Sequence, residues 1–383
     1  MVLLGYKDEK HVKFVIWFFR ALIRALREVV TGWSTASFAA ERFIGQRLVP
    51  SSVSVKLATA SGSRQLKIIH SRVKKSPRRV WFGPFVGEVG YELLYWRGFV
   101  AASIDRLGLH PADVGVISRG GVRGWYSSMV SNYSDLYSIG GEALVQDLQT
   151  DTYPIAFDHR HKSLVTMING SRRYWIHPNL MHQAIAEFKS FPERLSRLEN
   201  VIAHRPITSE DLLLANPEVA RTWSVILRKL PKEFVTVKFY SGSNLNNTKY
   251  VDRITRTLIA LARDVPLIGL GMTVTTGSHS DWTSKFPGVQ HVLGAIDPSI
   301  NLGIQSLLIS HSMGFLGTYG GFSYLPLYLR VPSLVVKDGE TLQKPCHQVM
   351  EQHVAKTLNS KYRVIDLSTS SLGEVVTSFF ECS

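Results

Sequence analysis

Residues 313–336 read Met313-Gly314-Phe315-Leu316-Gly317, Thr318-Tyr319-Gly320-Gly321, Phe322-Ser323-Tyr324-Leu325-Pro326-Leu327-Tyr328-Leu329, Arg330-Val331-Pro332-Ser333-Leu334-Val335-Val336. The spacing predicts a buried strand over 313–317, a glycine turn, a helix from about Phe322 to Leu329 and a second strand over Pro332–Val336. Working upstream, Asp297 is placed to cap a helix with Pro298 at its first position, running through Ile304 and Leu308. Phe234 to Tyr240 is a strand, Ser241 to Asn244 a polar loop, Tyr250 to Arg263 a helix and Val265 to Leu270 another strand. Downstream, a helix from Pro345 to Leu358 precedes a strand at Arg363 to Leu367. Strands alternating with helices imply a parallel sheet.

The first half repeats the pattern. Val80-Trp81-Phe82 is a strand closed by Gly83-Pro84, Glu92 to Arg106 a helix, and Val114 to Ile117 the next strand. Residues Gly120 to Asp158 are turn-rich, and a helix runs from Pro178 through Met181 and Ile185 to Phe188. Loop signals at Asn216-Pro217 and Pro231 set the boundary. The expected organisation is therefore α/β: residues 1–79 as a basic extension, 80–230 as one Rossmann-like domain and 231–383 as a second, the two facing a cleft.

The chain has 383 residues and a formal charge of +14. Residues 1–79 hold 16 of the 44 Lys and Arg against four acids, so the remainder is close to neutral. A body that reads nucleic acid carries its basic face on the folded part, and no nucleic acid is expected as partner. Between Val12 and Trp33 the apolar residues recur at threes and fours, with Lys13, Arg20, Arg24 and Arg27 opposite. Such an amphipathic helix suits an anionic membrane surface, here through residues 10–33, docks on the protein's own core, or serves as a nucleic-acid or partner arm. No run of 18 apolar residues spans a bilayer and no signal peptide is indicated. Cys346 and Cys382 supply neither a disulfide framework nor a cysteine zinc site. A cytoplasmic protein, peripheral on the inner membrane face, is the expectation.

The strand, Gly317 to Ser323 turn, apolar helix and Val331-Pro332 step resemble the donor-binding half of GT-B-fold glycosyltransferases, bacterial polysaccharide enzymes included, over roughly residues 233–340. Arg330-Val331-Pro332 lacks the glycine of the family's Gly-x-Pro step, and residues 80–230 match only loosely. The resemblance implies sugar transfer from a nucleotide-sugar to a hydroxyl of a glycan or lipid-linked acceptor, with no cofactor and no metal. Carried onto this chain, it places Thr318, Tyr319, Gly320, Gly321, Phe322 and Ser323 at the donor. Lys238 and Tyr240 fall at the end of a strand facing the cleft, where a cation can stabilise a leaving phosphate; a strand-end lysine with no such task reads the same. Asn301 and Gln305, one helical turn apart, could contact base or sugar.

On the acceptor side, the loop Gly83 to Tyr91 contains Gly87, Glu88 and Gly90. Glu88 could deprotonate an acceptor hydroxyl or simply fix the loop. Glu92 is expected to open the following helix at its positive end. Arg119, after the second strand, suits an anionic ligand or an ion pair, and His177, before Pro178, is either a catalytic or a structural histidine. No Asp-x-Asp, Walker or Gly-x-Gly-x-x-Gly motif occurs. His159-Arg160-His161 would need distant help to bind a metal. Two other readings compete: a nucleic-acid-modifying glycosyltransferase, and a non-catalytic α/β binding protein.

Overall fold

The computed structural model describes residues 79–149, 173–198, 201–241, 250–271, 280–283, 286–293, 296–339 and 345–370, with isolated positions between 60 and 73 and at 245, 372 and 376. The amphipathic segment 10–33, most of the basic linker and His159 to His161 lie outside the described residues.

Strand β1 (Arg79–Phe82) leads into helix α1, which comprises Val89–Tyr91, a π-helical stretch Glu92–Arg97 and Gly98–Leu107. The helix ends at Gly108, whose φ of 59° gives the left-handed cap a side chain would resist. After it come β2 (Val114–Ser118), β3 (Asn132–Asp135), α2 (Leu136–Gln149), β4 (Arg173–Ile176), α3 (Pro178–Ala184), α4 (Ala186–Ser190), α5 (Ser209–Ala215) and α6 (Pro217–Leu227). These four strands form one parallel sheet, ordered β3-β2-β1-β4.

The second sheet takes β5 (Val235–Lys238), then follow β6 (Tyr240–Ser241), α7 (Val251–Leu261), β7 (Leu267–Gly269), β8 (Ser280–Asp281), β9 (Val289–Gln290), α8 (Pro298–Ser310), β10 (Gly314–Thr318), α9 (Leu325–Leu329), β11 (Ser333–Lys337), α10 (Pro345–Leu358) and β12 (Tyr362–Asp366). Its order is β12-β11-β10-β5-β7-β9, all parallel, with β6 and β8 pairing separately as an antiparallel ribbon. Counted in chain order within the sheet, this is the doubly wound arrangement in which the strand order reverses between β5 and β10.

The α/β architecture with two parallel sheets is the one expected from the sequence. Asp297 caps α8 as predicted, its Oδ1 accepting from the Ser299 N–H at 2.8 Å. Three local expectations are corrected. The turn-rich region contains a strand, β3, and the helical segment α2, which is broken at Gly141 (φ 69°); Asn132-Tyr133-Ser134-Asp135 has no apolar alternation because it is a half-buried edge strand. The 178–188 helix breaks at Ile185 into α3 and α4. The helix after the glycine turn is a 3-10 turn, Gly321–Tyr324, followed by the five residues of α9.

Strands β2 and β10 are buried along their whole length, as parallel strands covered on both faces must be. One apolar cluster runs through both halves, from Val80, Phe82 and Val116 to Ile268, Phe315 and Val335. Cross-links reinforce it: Tyr328 Oη donates to Leu93 O at 2.7 Å, Trp125 Nε1 to Ser306 Oγ at 3.0 Å and the Gly303 N–H to Gly120 O at 3.0 Å. The outer faces have their own clusters, around Trp81 and Ile117 on the first sheet and around Val237, Leu316 and Leu334 on the second. The halves are thus joined along a shared core.

The two halves also meet backbone to backbone where α1 approaches the glycine turn. A Cβ on Gly90 would stand 2.5 Å from Gly321 Cα, and one on Gly321 would stand 2.8 Å from Gly90 N. Backbone atoms cannot step aside as a side chain can. Gly90→Ala is therefore expected to lose about 1–3 kcal/mol of stability, read as a lowered Tm in calorimetry. Gly271→Ala, which enters open space, is the control and should melt like the wild type; equal melting of both variants would contradict the contact.

Candidate functional site

In doubly wound sheets ligands bind outside the carboxyl ends of the strands, where the strand order reverses. Here that point lies between β5 and β10, and the residues meeting there are Lys238 and Gly317, register partners at the two strand ends. Lys238 is buried. Its Nζ donates to Gln305 Oε1 at 3.0 Å and Leu270 O at 3.2 Å, lies 3.5 Å from Gly271 O, and stands 4.3 Å from the centre of the Phe322 ring. Gln305 Nε2 in turn donates to Asn301 Oδ1 at 2.9 Å and Gly271 O at 3.2 Å. Three residues picked separately from the sequence thus form one hydrogen-bonded chain, Lys238–Gln305–Asn301.

Every hydrogen-bond acceptor of that ammonium group among the described residues is neutral. Burial lowers the Lys238 pKa from 10.5 to about 8, with the more distant charge of Asp281 working the other way. Solvating a buried cation with carbonyls leaves it able to gain from an incoming anion, because among the described residues no carboxylate hydrogen-bonds it.

Thr318, the last residue of β10, fastens the neighbouring segment: its Oγ1 donates to Tyr240 O at 3.2 Å and accepts from Tyr240 N at 3.1 Å. The Tyr240 phenol is buried, which pushes its pKa up, and the Glu88 charge raises it further. Glu88 is exposed, on the loop after β1, just before α1 begins. The first-sheet loop thus puts the Glu88 charge within electrostatic range of Tyr240, which does not continue β5 as the sequence suggested but begins β6. Gly87 precedes Glu88 on this loop, and Gly90 lies in the first turn of α1.

In the glycine turn, Gly320 has φ 151°, a conformation that favours glycine. Its N–H donates to Ser323 Oγ at 3.2 Å, and that hydroxyl donates to Gly320 O at 2.7 Å. The close approach that Gly321 permits is made by another backbone, that of Gly90. With only a short 3-10 turn and α9 following, a helix dipole offers little to an anion here.

Other residues singled out in the sequence take supporting positions. Arg119 is buried; Nη1 lies 3.3 Å from Glu92 Oε2 and Nη2 donates to Gly87 O, so its guanidinium pins the Glu88 loop. Glu92 does not open the helix, which begins three residues earlier at Val89. It is buried in the π-helical stretch, accepting from Ser118 Oγ and, at 2.8 Å, from Tyr126 Oη, and burial raises its pKa against the pull of Arg119. His177, half-buried, follows β4 at the carboxyl edge of the first sheet, where the Gly83 N–H donates to Ile176 O at 3.0 Å. Tyr319 turns its hydroxyl to Glu351 Oε2 at 2.7 Å. Sequence reasoning missed Glu351; the signal was a carboxylate beside the apolar Cys346, Met350, Val354 and Leu358 stripe of α10. Among the described residues no group of three or more His, Cys, Asp or Glu is arranged to hold a metal ion.

No protein-family model matches the chain, and no curated protein matches it. Among solved structures, E. coli ADP-heptose LPS heptosyltransferase II superposes with a TM-score of 0.46 at 11% identity, covering 80% of this chain and 99% of that one. A glycosyl transferase family 9 protein from Veillonella parvula gives 0.41 at 11%, covering 80% and 98%. The UDP-GlcNAc 2-epimerase of Methanocaldococcus jannaschii, solved with UDP-GlcNAc and UDP, gives 0.33 at 12%, covering 84% and 75%. All superpose at TM-scores below 0.5, so the chemistry is read from the residues.

Because the folded chain releases the Lys238 proton near pH 8 and the unfolded chain only near 10.5, burial of this charge costs stability below pH 8 and the cost disappears above 10.5. Wild-type stability relative to Lys238→Met should rise between those two pH values, by on the order of 2–3 kcal/mol. Chemical unfolding at pH 7 and pH 10 checks this, and a difference that does not change with pH would contradict it.

Proposed function

We propose that the protein is a glycosyltransferase that moves a sugar from a nucleotide-sugar to a hydroxyl of a glycan or lipid-linked acceptor. The observation that carries this reading is Lys238, a buried cation solvated by neutral groups at the strand-order reversal of a doubly wound sheet. That is where a ligand phosphate would sit and where an ammonium group would offset its charge.

The diphosphate lies against Lys238 and the Thr318 to Phe322 turn, with Asn301 and Gln305 beside it. An acceptor hydroxyl enters from the Glu88 loop. Glu88 takes its proton, the oxygen attacks the anomeric carbon, and the bond from that carbon to the phosphate oxygen breaks. The electron pair leaves with the nucleoside diphosphate, whose added negative charge Lys238 stabilises; Glu88 later returns the proton to water. None of these steps requires a metal ion. His177, at the carboxyl edge of the first sheet, serves the acceptor side.

A panel of ADP-, GDP- and UDP-sugars should contain a donor that raises Tm, since a ligand that binds only the folded chain stabilises it by mass action. Lys238→Met should abolish that shift. Glu88→Gln should keep the shift while lowering turnover by roughly 10²–10⁴-fold. Absence of any shift across the panel, or an unchanged shift in Lys238→Met, would overturn the reading.

The basic segment suits an acceptor held at a membrane. No described helix is long and apolar enough to cross one, and surface contact through residues 10–33 is inferred from the cationic and aromatic faces of that sequence. Replacing Arg20, Arg24 and Arg27 together by Glu should release the full chain from sedimenting vesicles of anionic lipid. Sedimentation unchanged by the three substitutions would contradict the contact.

A further inference from the structure

A carboxylate and three tyrosines meet behind the glycine turn. Tyr319 Oη donates to Glu351 Oε2 at 2.7 Å, and Tyr324 Oη donates to Tyr319 Oη at 3.0 Å. Tyr362 of β12 lies near enough for the Glu351 charge to raise its phenol, and its hydroxyl is 3.5 Å from Ser323 Oγ. Glu351 itself is buried on α10. From β11, the Lys337 ammonium acts on it while lying 4.0 Å from Asp366 Oδ2. From α1, which packs against the start of α10, the titratable groups are Tyr91 and Tyr95, in contact with His347 one turn before Glu351.

The backbone of the turn is held at one point by the Tyr319 N–H donating to Val336 O at 2.8 Å, and at another by the Gly320–Ser323 pair. Gly320, a member of that pair, and Gly321, packed against Gly90, are the residues with the most conformational freedom to lose. The side-chain anchor within reach is the Tyr319 hydroxyl, and it is fastened to α10, which also meets the first half through Tyr95 Oη donating to Cys346 O at 3.3 Å.

We propose that Glu351 is a positioning residue, fixing the Thr318–Ser323 turn in its ligand-receiving shape through the Tyr319 hydroxyl. The ligand named rests on the nucleotide-sugar reading; the fixing of the turn does not. Tyr324 and Tyr319 form a run of donors that ends on the carboxylate, so the run is strongest when Glu351 is ionised. Burial pushes Glu351 up from 4.5 to about 7, against the opposing hydrogen bonds of Tyr319 and Tyr324 and the charge of Lys337. The anchor therefore loosens as pH falls through about 7.

The test is amide hydrogen exchange over residues 317–325, corrected for intrinsic pH dependence, in wild type, Glu351→Gln, Tyr319→Phe and the double variant from pH 6 to 8.5, with ADP, GDP and UDP affinities by calorimetry alongside. Wild-type exchange in the turn should slow by about three- to tenfold as pH rises. Both single variants should be flat with pH, and the double variant no worse than either, because they break one link. If Glu351→Gln does not fold, Tyr319→Phe, which keeps the ring, carries the comparison. A pH profile shared by wild type and variants would overturn the proposal, whether or not a nucleotide binds. The expected exchange pattern with no nucleotide bound would leave the positioning role standing and sink the nucleotide reading.

Discussion

Two glycine backbones in contact set the geometry of this molecule. Gly90, in the first turn of α1, and Gly321, just beyond β10, approach so closely that neither position has room for a Cβ. Each lies after the carboxyl end of a strand in its own parallel sheet, so their contact brings the two carboxyl edges face to face. Any longer side chain there would push apart the edges that hold Glu88 on one side and Lys238 on the other. The shared apolar core and the Tyr328–Leu93 hydrogen bond then hold the halves at that distance.

The cost of the site lies in its charge. Lys238 is placed where burial disfavours its ionised form, and among the described residues it hydrogen-bonds Gln305, Leu270 and Gly271 and no carboxylate. An ion pair in its place would stabilise the apo protein and leave less to gain from a phosphate. Arg119 shows the contrast: it too is buried at a strand end, but it meets Glu92 and the Gly87 carbonyl, and it serves the loop rather than a ligand.

Much of this was legible in the sequence, and the rest was hidden for physical reasons. Apolar runs such as Val235 to Val237 and Leu334 to Val336 mark strands buried on both faces, and Asp297-Pro298 marks a helix start. Asn132 to Asp135 was hidden because an edge strand with little apolar content has the composition of a loop. Lys238, Asn301 and Gln305 could be picked singly, but only the fold brings residues 238 and 305 within 3.0 Å. Glu92 was misjudged because its position near a helix start suggested a dipole partner, whereas its partners, Ser118, Arg119 and Tyr126, lie more than twenty residues away. Glu351 is more than thirty residues from Tyr319, and no local pattern links them.

The most direct measurement is a crystal structure of the full chain grown with a nucleoside diphosphate, with ADP, GDP and UDP each tried. The expected result is difference density for the two phosphates between the Lys238 ammonium and the Thr318 to Phe322 turn, at the carboxyl ends of β5 and β10. Phosphates bound elsewhere, with Lys238 keeping its hydrogen bonds to Gln305, Leu270 and Gly271, would contradict the proposal of this strand junction as the donor site.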